Sequence, residues 1–441
     1  MSLFDIPNLG IRAYDSPLPL NTVYGDQVCN FTPDTQHMHF SICDQPGRKE
    51  NTSEYAYEEY TFETAGPRKK IFFDPTKTTC AIVTCGGLSP GLNNVIQAIV
   101  FELYYHYRVK SILGIRYGYE GLNPKFGHVP MELKPEAVRN IAEMGGTILG
   151  SSRGNQAVTI MADEMERLGI DILFTIGGDG TQRGAFELAE ELKKRGQKRA
   201  VVGIPKTIDN DIVIIEKSFG FETAFSKACE AIQCAHTEAV SAWNGVGLVK
   251  VMGRHSGYIA AHAALALNEV NFVLVPEVKF ELDGEKGLLN LLRKRLELRH
   301  HAVIIVAEGA GQDFFAADSG SDASGNVKLH DIGTFLTKKI GEYLKSISMY
   351  HTVKYIDPSY MIRSIPAIPS DALFSSQLAR HAVHAGMTGK TAMLVGWFKN
   401  TFIHLPLCAI ANQRKTIDPE SHLWFSVLEA TGQPMNMINT I

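Results

Sequence analysis

The chain has 441 residues, 45% hydrophobic and 20% charged, enough for about three average domains or two large ones plus an extension. Its 43 basic and 47 acidic residues leave a net charge of −4, which argues against a nucleic-acid partner bound by phosphate neutralisation. Seven scattered cysteines with no C-x-x-C pair read as reduced, mostly buried thiols, not as a zinc or disulfide framework.

In chain order, the opening MSLFDIPNLG lacks the basic and apolar regions of a secretory signal. No apolar run reaches the ~18 residues of a membrane span, so the expectation is a cytoplasmic protein with no membrane partner. Residues 1–75 stand apart, with many polar residues and turn formers and an acidic aromatic patch, EYAYEEY, at 54–60. They read as an extension that packs on the core or on a neighbouring subunit, since so many tyrosines and phenylalanines are unusual in a disordered tail.

From Thr78 strand and helix alternate. A strand over 79–84 meets a glycine turn at Gly86, Gly87 and Gly91, and a helix is predicted over 92–107. Strands follow over 110–116, 171–176 and 200–204, a rhythm that predicts a parallel sheet covered on both faces. A second series runs through 246–252, 271–275, 302–307 and 393–395. The expected fold is therefore α/β, with two lobes bearing parallel sheets, an N-terminal extension and a site beyond the strand C-termini. The basic helix over 288–298 and the His300-His301 pair read as solvated surface, and 311–326 as a surface loop.

Four clusters fall at the predicted strand ends. CGGLSPGLNN (85–94) is a glycine loop opening a helix. Next comes TIGGDGT (175–181), where an apolar strand breaks into three glycines around Asp179 before a helix over 182–194. Bare N–H groups at such a turn suit phosphate oxygens, and a carboxylate among them suits Mg²⁺. The third, IPKTIDND (204–211), places Lys206, Thr207, Asp209 and Asp211 after a strand, a set suited to taking a proton from a hydroxyl beside a charged donor. The fourth joins MGRH (252–255), AEG (307–309) and YMIR (360–363). Two arginines and a glutamate suit a phosphorylated sugar, with guanidinium for phosphate and carboxylate for hydroxyls.

Together with GSSRG (150–154), these motifs resemble, in this order and over roughly residues 72–400, the phosphofructokinase family, and GPRKKIFFDP (66–75) looks like the lead-in of its plant and protist branch. The resemblance implies Rossmann-like lobes and phosphoryl transfer to the 1-hydroxyl of fructose 6-phosphate. It divides the chain into an extension (1–75), a nucleotide-binding lobe (76–238, returning near 372–396) and a sugar-phosphate lobe (239–371, returning near 397–441). Asp179 would hold Mg²⁺, and Asp209 would be the base. Thr207, Lys206 and Arg254 would act with it in catalysis. Gly87, Arg153, Gly154, Gly178, Gly180, Thr181 and Gly184 would line ATP. Thr207, Ile208, Met252, Gly253, Arg254, Glu308, Tyr360, Met361, Ile362 and Arg363 would line the sugar. A homo-oligomer, dimer or tetramer, is implied as well.

The donor resembles a two-position code. Glycine at Gly180 leaves room for the α-phosphate, where an aspartate favours pyrophosphate. Lys206 stands where bacterial ATP enzymes carry glycine and pyrophosphate enzymes carry lysine. Repulsion between a carboxylate and the α-phosphate makes Gly180 decisive and favours ATP. A pyrophosphate enzyme and a non-catalytic nucleotide-binding subunit are the alternatives. Gly245 and Ala372 stand where the resemblance to bacterial members implies two arginines, one crossing the subunit interface and one binding phosphate, so bacterial-style allostery is not implied.

Overall fold

The structure is a computed structural model that describes residues 4–40, 61–316, 320, 328–411 and 413–439. The patch at 54–60 and most of the 311–326 loop lie outside the described residues. The chain divides into two units. The first takes Met1–Thr207, Ile212–Phe219 and Pro366–Arg414, and the second takes Ile208–Asp211, Gly220–Ile365 and Lys415–Ile441.

In the first unit, β1 (Tyr14–Asp15) pairs antiparallel with β4 (Lys70–Ile71), and β2 (His37–His39) with β3 (Thr61–Glu63). Seven more strands form one sheet: β5 (Thr79–Thr84), β6 (Ser111–Ile115), β7 (Met131–Glu132), β8 (Ile172–Gly177), β9 (Ala200–Pro205), β14 (Met393–Phe398) and β15 (Thr401–Pro406). Their order is β15-β14-β9-β8-β5-β6-β7. The five inner strands run parallel, whereas β15 and β7 close the edges antiparallel. Side chains alternate between two cores. Ile82, Phe174 and Val202 pack toward helices Leu92–Phe101 and Pro369–Met387, while Val83, Leu173 and Val201 pack toward Val158–Arg167 and Asp179–Lys194. Burial on both faces is why these strands read as continuous apolar runs.

The extension belongs to this unit. Phe62 is fully buried, its ring 5.0 Å from that of Phe4 and 5.3 Å from that of Phe398. Arg68, only 2% exposed, donates to Asp34, Glu63 and the Thr64 and Gly66 carbonyls. The Lys390 ammonium lies 2.6 Å from Glu63, and buried His404 lies 3.4 Å from the same carboxylate. Burial would raise the Glu63 pKa, but His404 and Lys390 hold it well below the usual carboxylate range.

The second unit carries four strands, β10 (Gly245–Val251), β11 (Phe272–Leu274), β12 (His301–Ala307) and β13 (Thr352–Ile356), all parallel in the order β11-β12-β10-β13. Val249, Val273 and Ile305 pack toward helices Phe221–Val240 and Tyr258–Ala266, and Leu248, Leu274 and Ile304 toward Leu288–Arg299 and Ile332–Ser346. The boundaries differ from those expected at 238 and 397. Helix Phe221–Val240 buries Ala224, Ala228, Ile232 and Ala235 in the second unit's core, so the division falls at Gly220. The final return waits until Lys415, because β15 pairs with β14 of the first sheet. Among the described residues, no helix is long and apolar enough to cross a membrane.

Candidate active site

In the first unit, β8 ends at Gly177 and the next helix starts at Asp179, three residues before the expected start at 182. Asp179, Gly180 and Thr181 therefore form its first turn, with Gly178 as N-cap. The Thr181 and Gln182 amides both donate to the Gly178 carbonyl at 3.0 Å. The N–H groups that open the helix are the ones without an intrahelical acceptor, so this end favours an anion. A Cβ added at Gly180 would meet nothing within 4 Å. The Asp179 carboxylate is partly exposed, and Arg414 Nη2 lies 3.8 Å from it.

The glycine turn after β5 flanks this helix start. Gly86 has a φ of 84°, its amide donates to Ser152 O at 3.0 Å, and its carbonyl accepts from Ser151 Oγ at 2.6 Å. The Gly86 turn and the segment carrying Arg153 and Gly154 are thereby laced together. Buried Lys206 donates from Nζ to the Gly87 carbonyl at 2.6 Å, while its amide donates to Gly177 O at 3.0 Å. Lys206 thus braces the tips of two strands. Cys85 beside them is inert, since burial pushes its thiol up to about 12.

Two residues here play parts that spacing does not reveal. Gln182 is buried and donates from Nε2 to Gly177 O at 3.0 Å and to Ile204 O at 3.1 Å, clamping the ends of β8 and β9. Gly184 makes room for Tyr119: a Cβ there would sit 2.9 Å from the Tyr119 ring, whose hydroxyl donates to Thr181 O at 2.8 Å.

The segment after β9 carries the chain from the first unit to the second between Thr207 and Ile208. Ser218 Oγ donates to the Thr207 carbonyl at 2.7 Å. In the second unit, Ile208 is buried in the core, Ser256 Oγ donates to the Asp209 carbonyl at 2.9 Å, and the Lys415 amide donates to Asp211 O at 2.8 Å. The Asp209 backbone is thus held from the turn that follows Arg254.

On the acceptor side, β10 and β12 end in register, Val251 opposite Ala307, so their turns emerge together. The Glu308 amide donates to Val251 O at 2.9 Å and the Gly309 amide to Gly253 O at 3.1 Å. Gly309 has no alternative: a Cβ there would lie 2.0 Å from the Arg254 carbonyl. Burial raises the Glu308 pKa, opposed by the charges of Arg254, Lys250 and Arg363, which places these groups in one electrostatic neighbourhood. Beyond β13, the Arg363 guanidinium sits 5.0 Å from the centroid of the exposed Tyr360 ring. Met361 is exposed, whereas Ile362 is fully buried among core residues and anchors the turn, so any ligand contact by Ile362 is through its backbone.

The Gly245 departure has a steric reason. A Cβ there would lie 2.1 Å from the Ala239 carbonyl, so the start of β10 admits no side chain of any kind. Ala372 lies in the first turns of helix Pro369–Met387 in the first unit.

Doubly wound sheets with glycine turns opening a helix are the architecture of phosphate-handling α/β proteins. A family model described as phosphofructokinase matches residues 79–386. An ATP-dependent 6-phosphofructokinase of Borreliella burgdorferi is 46% identical over 443 residues, 99% of this chain and 98% of the relative. One from Trypanosoma cruzi is 49% identical over 84% of this chain and 76% of its own length. Among solved structures, a pyrophosphate-dependent phosphofructokinase from Marinobacter aquaeolei superposes with a TM-score of 0.66 at 19% identity, over 80% of this chain and 91% of that one, a likeness of fold alone. The chain belongs to the phosphofructokinase family.

Proposed function

We propose that this chain is an ATP-dependent 6-phosphofructokinase that transfers the γ-phosphoryl group of ATP to the 1-hydroxyl of fructose 6-phosphate. The observation that carries the donor is Gly180, a bare position opening onto free space in the first turn of the helix after β8. Lys206 fits either donor as a charge, and its bond to the Gly87 carbonyl accounts for it as a brace.

Residues of the first unit hold the donor. The Asp179 and Gly180 amides that open the helix meet its phosphates, with Arg153 and Gly154 along the nucleotide. Asp179 is the one carboxylate in that turn, and among the described residues no group of three or more metal-ligating side chains occurs. A single partly exposed carboxylate fits Mg²⁺, which takes most of its ligands from phosphate and water. Bound there, the ion would offset the charge on the donor phosphates.

Residues of the second unit hold the sugar. Arg254 and Arg363 supply guanidinium groups for its 6-phosphate, and Glu308 accepts from its hydroxyls. Asp209 takes the proton of the 1-hydroxyl as that oxygen attacks the γ-phosphorus and the bond from that phosphorus to the departing ADP breaks, and Thr207 stands beside the transferring group. Assembly as a homo-oligomer completes this reading.

Purified protein is tested with fructose 6-phosphate and either ATP or pyrophosphate, following fructose 1,6-bisphosphate through a coupled assay. Turnover with ATP well above that with pyrophosphate is expected. Equal or better use of pyrophosphate would overturn the donor assignment, and no product with either donor would overturn the activity.

A further inference from the structure

Behind the Tyr360–Arg363 turn stands a lysine that the reaction itself does not use. Lys250 is the second-last residue of β10, in a strand whose other six residues are buried. Its side chain is 14% exposed, with Nζ 2.8 Å from Asp357 Oδ2 and 3.3 Å from Asp331 Oδ1. Burial disfavours the ammonium, but the Asp357 hydrogen bond and the neighbouring negative charges outweigh it and hold its pKa above the usual lysine value.

The two carboxylates each organise something else. Asp357 directly follows β13, and its Oδ1 accepts from the Ser359 amide at 3.0 Å and from the Ser359 hydroxyl. One oxygen therefore folds the turn while the other grips Lys250. The turn closes with the Ile362 amide on Pro358 O at 3.0 Å, leaving Tyr360 exposed and Arg363 part-buried. Asp331 caps helix Ile332–Ser346 through the Gly333 and Thr334 amides and accepts from the Tyr355 hydroxyl at 3.2 Å. Lys250 is thus the cation that lets two carboxylates, one shaping the turn and one capping a helix, share a half-buried spot. Its charge also reaches Glu308, at the end of the adjacent strand.

We propose that Lys250 is a positioning residue for the sugar phosphate: through Asp357 it holds the turn that presents Tyr360 and Arg363, without touching the substrate. This inference rests on the reading of that turn as the sugar-phosphate contact. A lysine that served only to stabilise the fold would, when removed, weaken both substrates alike. One that positions this turn acts on the sugar side alone.

The test compares Lys250→Met, Lys250→Arg and wild type as full-length proteins. Calorimetric binding of fructose 6-phosphate without nucleotide, binding of Mg–ATP, and steady-state KM and kcat are measured. Loss of a charged hydrogen bond should raise the Kd and KM for fructose 6-phosphate about tenfold or more in Lys250→Met. ATP binding should be unchanged, and Lys250→Arg should recover most of the loss, because a guanidinium can bond both carboxylates. Unchanged sugar-phosphate affinity overturns the proposal. So does an equal loss for both substrates that arginine does not rescue. If Lys250→Met does not fold, Asp357→Asn decides: it keeps an acceptor for Ser359 but loses the ion pair, and unchanged fructose 6-phosphate affinity in that variant overturns the proposal. Wild-type protein that fails to bind fructose 6-phosphate would instead sink the reading of the site itself.

Discussion

Gly180→Asp separates the donor site from the fold. A Cβ at this position would meet nothing within 4 Å, and the residue lies in the first turn of helix Asp179–Lys194. A carboxylate there interacts favourably with the helix N-terminus by about 0.3–1 kcal/mol, partly offset by its neighbour Asp179. Replacing glycine in a helix also recovers backbone entropy. The variant should therefore fold as well as wild type, with Tm within about 3 °C. Catalysis should fare differently. A carboxylate about 4 Å from a phosphate oxygen costs about 4 kcal/mol at an effective dielectric of about 20, or roughly a thousandfold in kcat/KM for ATP. The coupled assay across an ATP titration reads this directly, and thermal denaturation reads the fold. A Gly180→Asp protein that keeps wild-type kcat/KM for ATP would refute the argument that the α-phosphate passes this position.

Asp209→Asn should lower kcat by roughly 10²–10⁴ with little change in ATP affinity, measured by steady-state kinetics and calorimetry; near-normal turnover would remove Asp209 as the base. Arg363→Ala should raise the KM for fructose 6-phosphate much more than that for ATP, because a dianion loses one charge-assisted partner, and equal effects would assign Arg363 to folding or to the donor. Burial pushes buried His404 down to about 4 from an unperturbed 6.5, with the nearby Glu63 carboxylate opposing the push. Between those pH values the unfolded chain binds a proton that the folded chain does not, so stability falls as pH drops from about 6.5 to about 4, by about 3 kcal/mol at most from this group. Denaturant titrations across that range should show the slope, and His404→Leu should make it shallower while buried His381 and His384, whose pKa values burial also lowers, keep the remainder.

The strands and glycine turns were legible because each is a local signal. Apolar runs such as 79–84 and 200–205 end at Gly86 and Lys206, and the residues that follow a strand are those a parallel sheet presents at one edge. Lobe membership was less legible. Helix Phe221–Val240 continues the chain of the first sheet, yet its buried alanines pack in the second core, and sequence order carries no record of that choice. Roles defined by one contact across the fold were hidden too. Gly184 reads like its neighbours in GGDGT, but it answers to the ring of Tyr119, sixty-five residues earlier. Gln182 and Lys250 carry no motif, since a clamp on two strand ends and an ion pair with Asp357 arise only when distant segments meet.

The residues ahead of β5 bear on how this protein can be cut. Composition sets residues 1–75 apart from the strand-and-helix rhythm that follows, and a shortened version beginning at 76 would look natural on paper. Such a fragment would leave Lys390, 4% exposed in the intact fold, without the Glu63 carboxylate that neutralises it, and would strip Phe62 from the ring of Phe398. An unmatched charge in that setting costs several kcal/mol, a large share of what keeps a domain of this size folded. Trimming for crystallisation, tagging or domain exchange should therefore begin upstream of Phe4, and an N-terminal protease that clips between β3 and β5 would inactivate the protein by loosening its larger sheet, with every proposed ATP- and sugar-binding residue still attached.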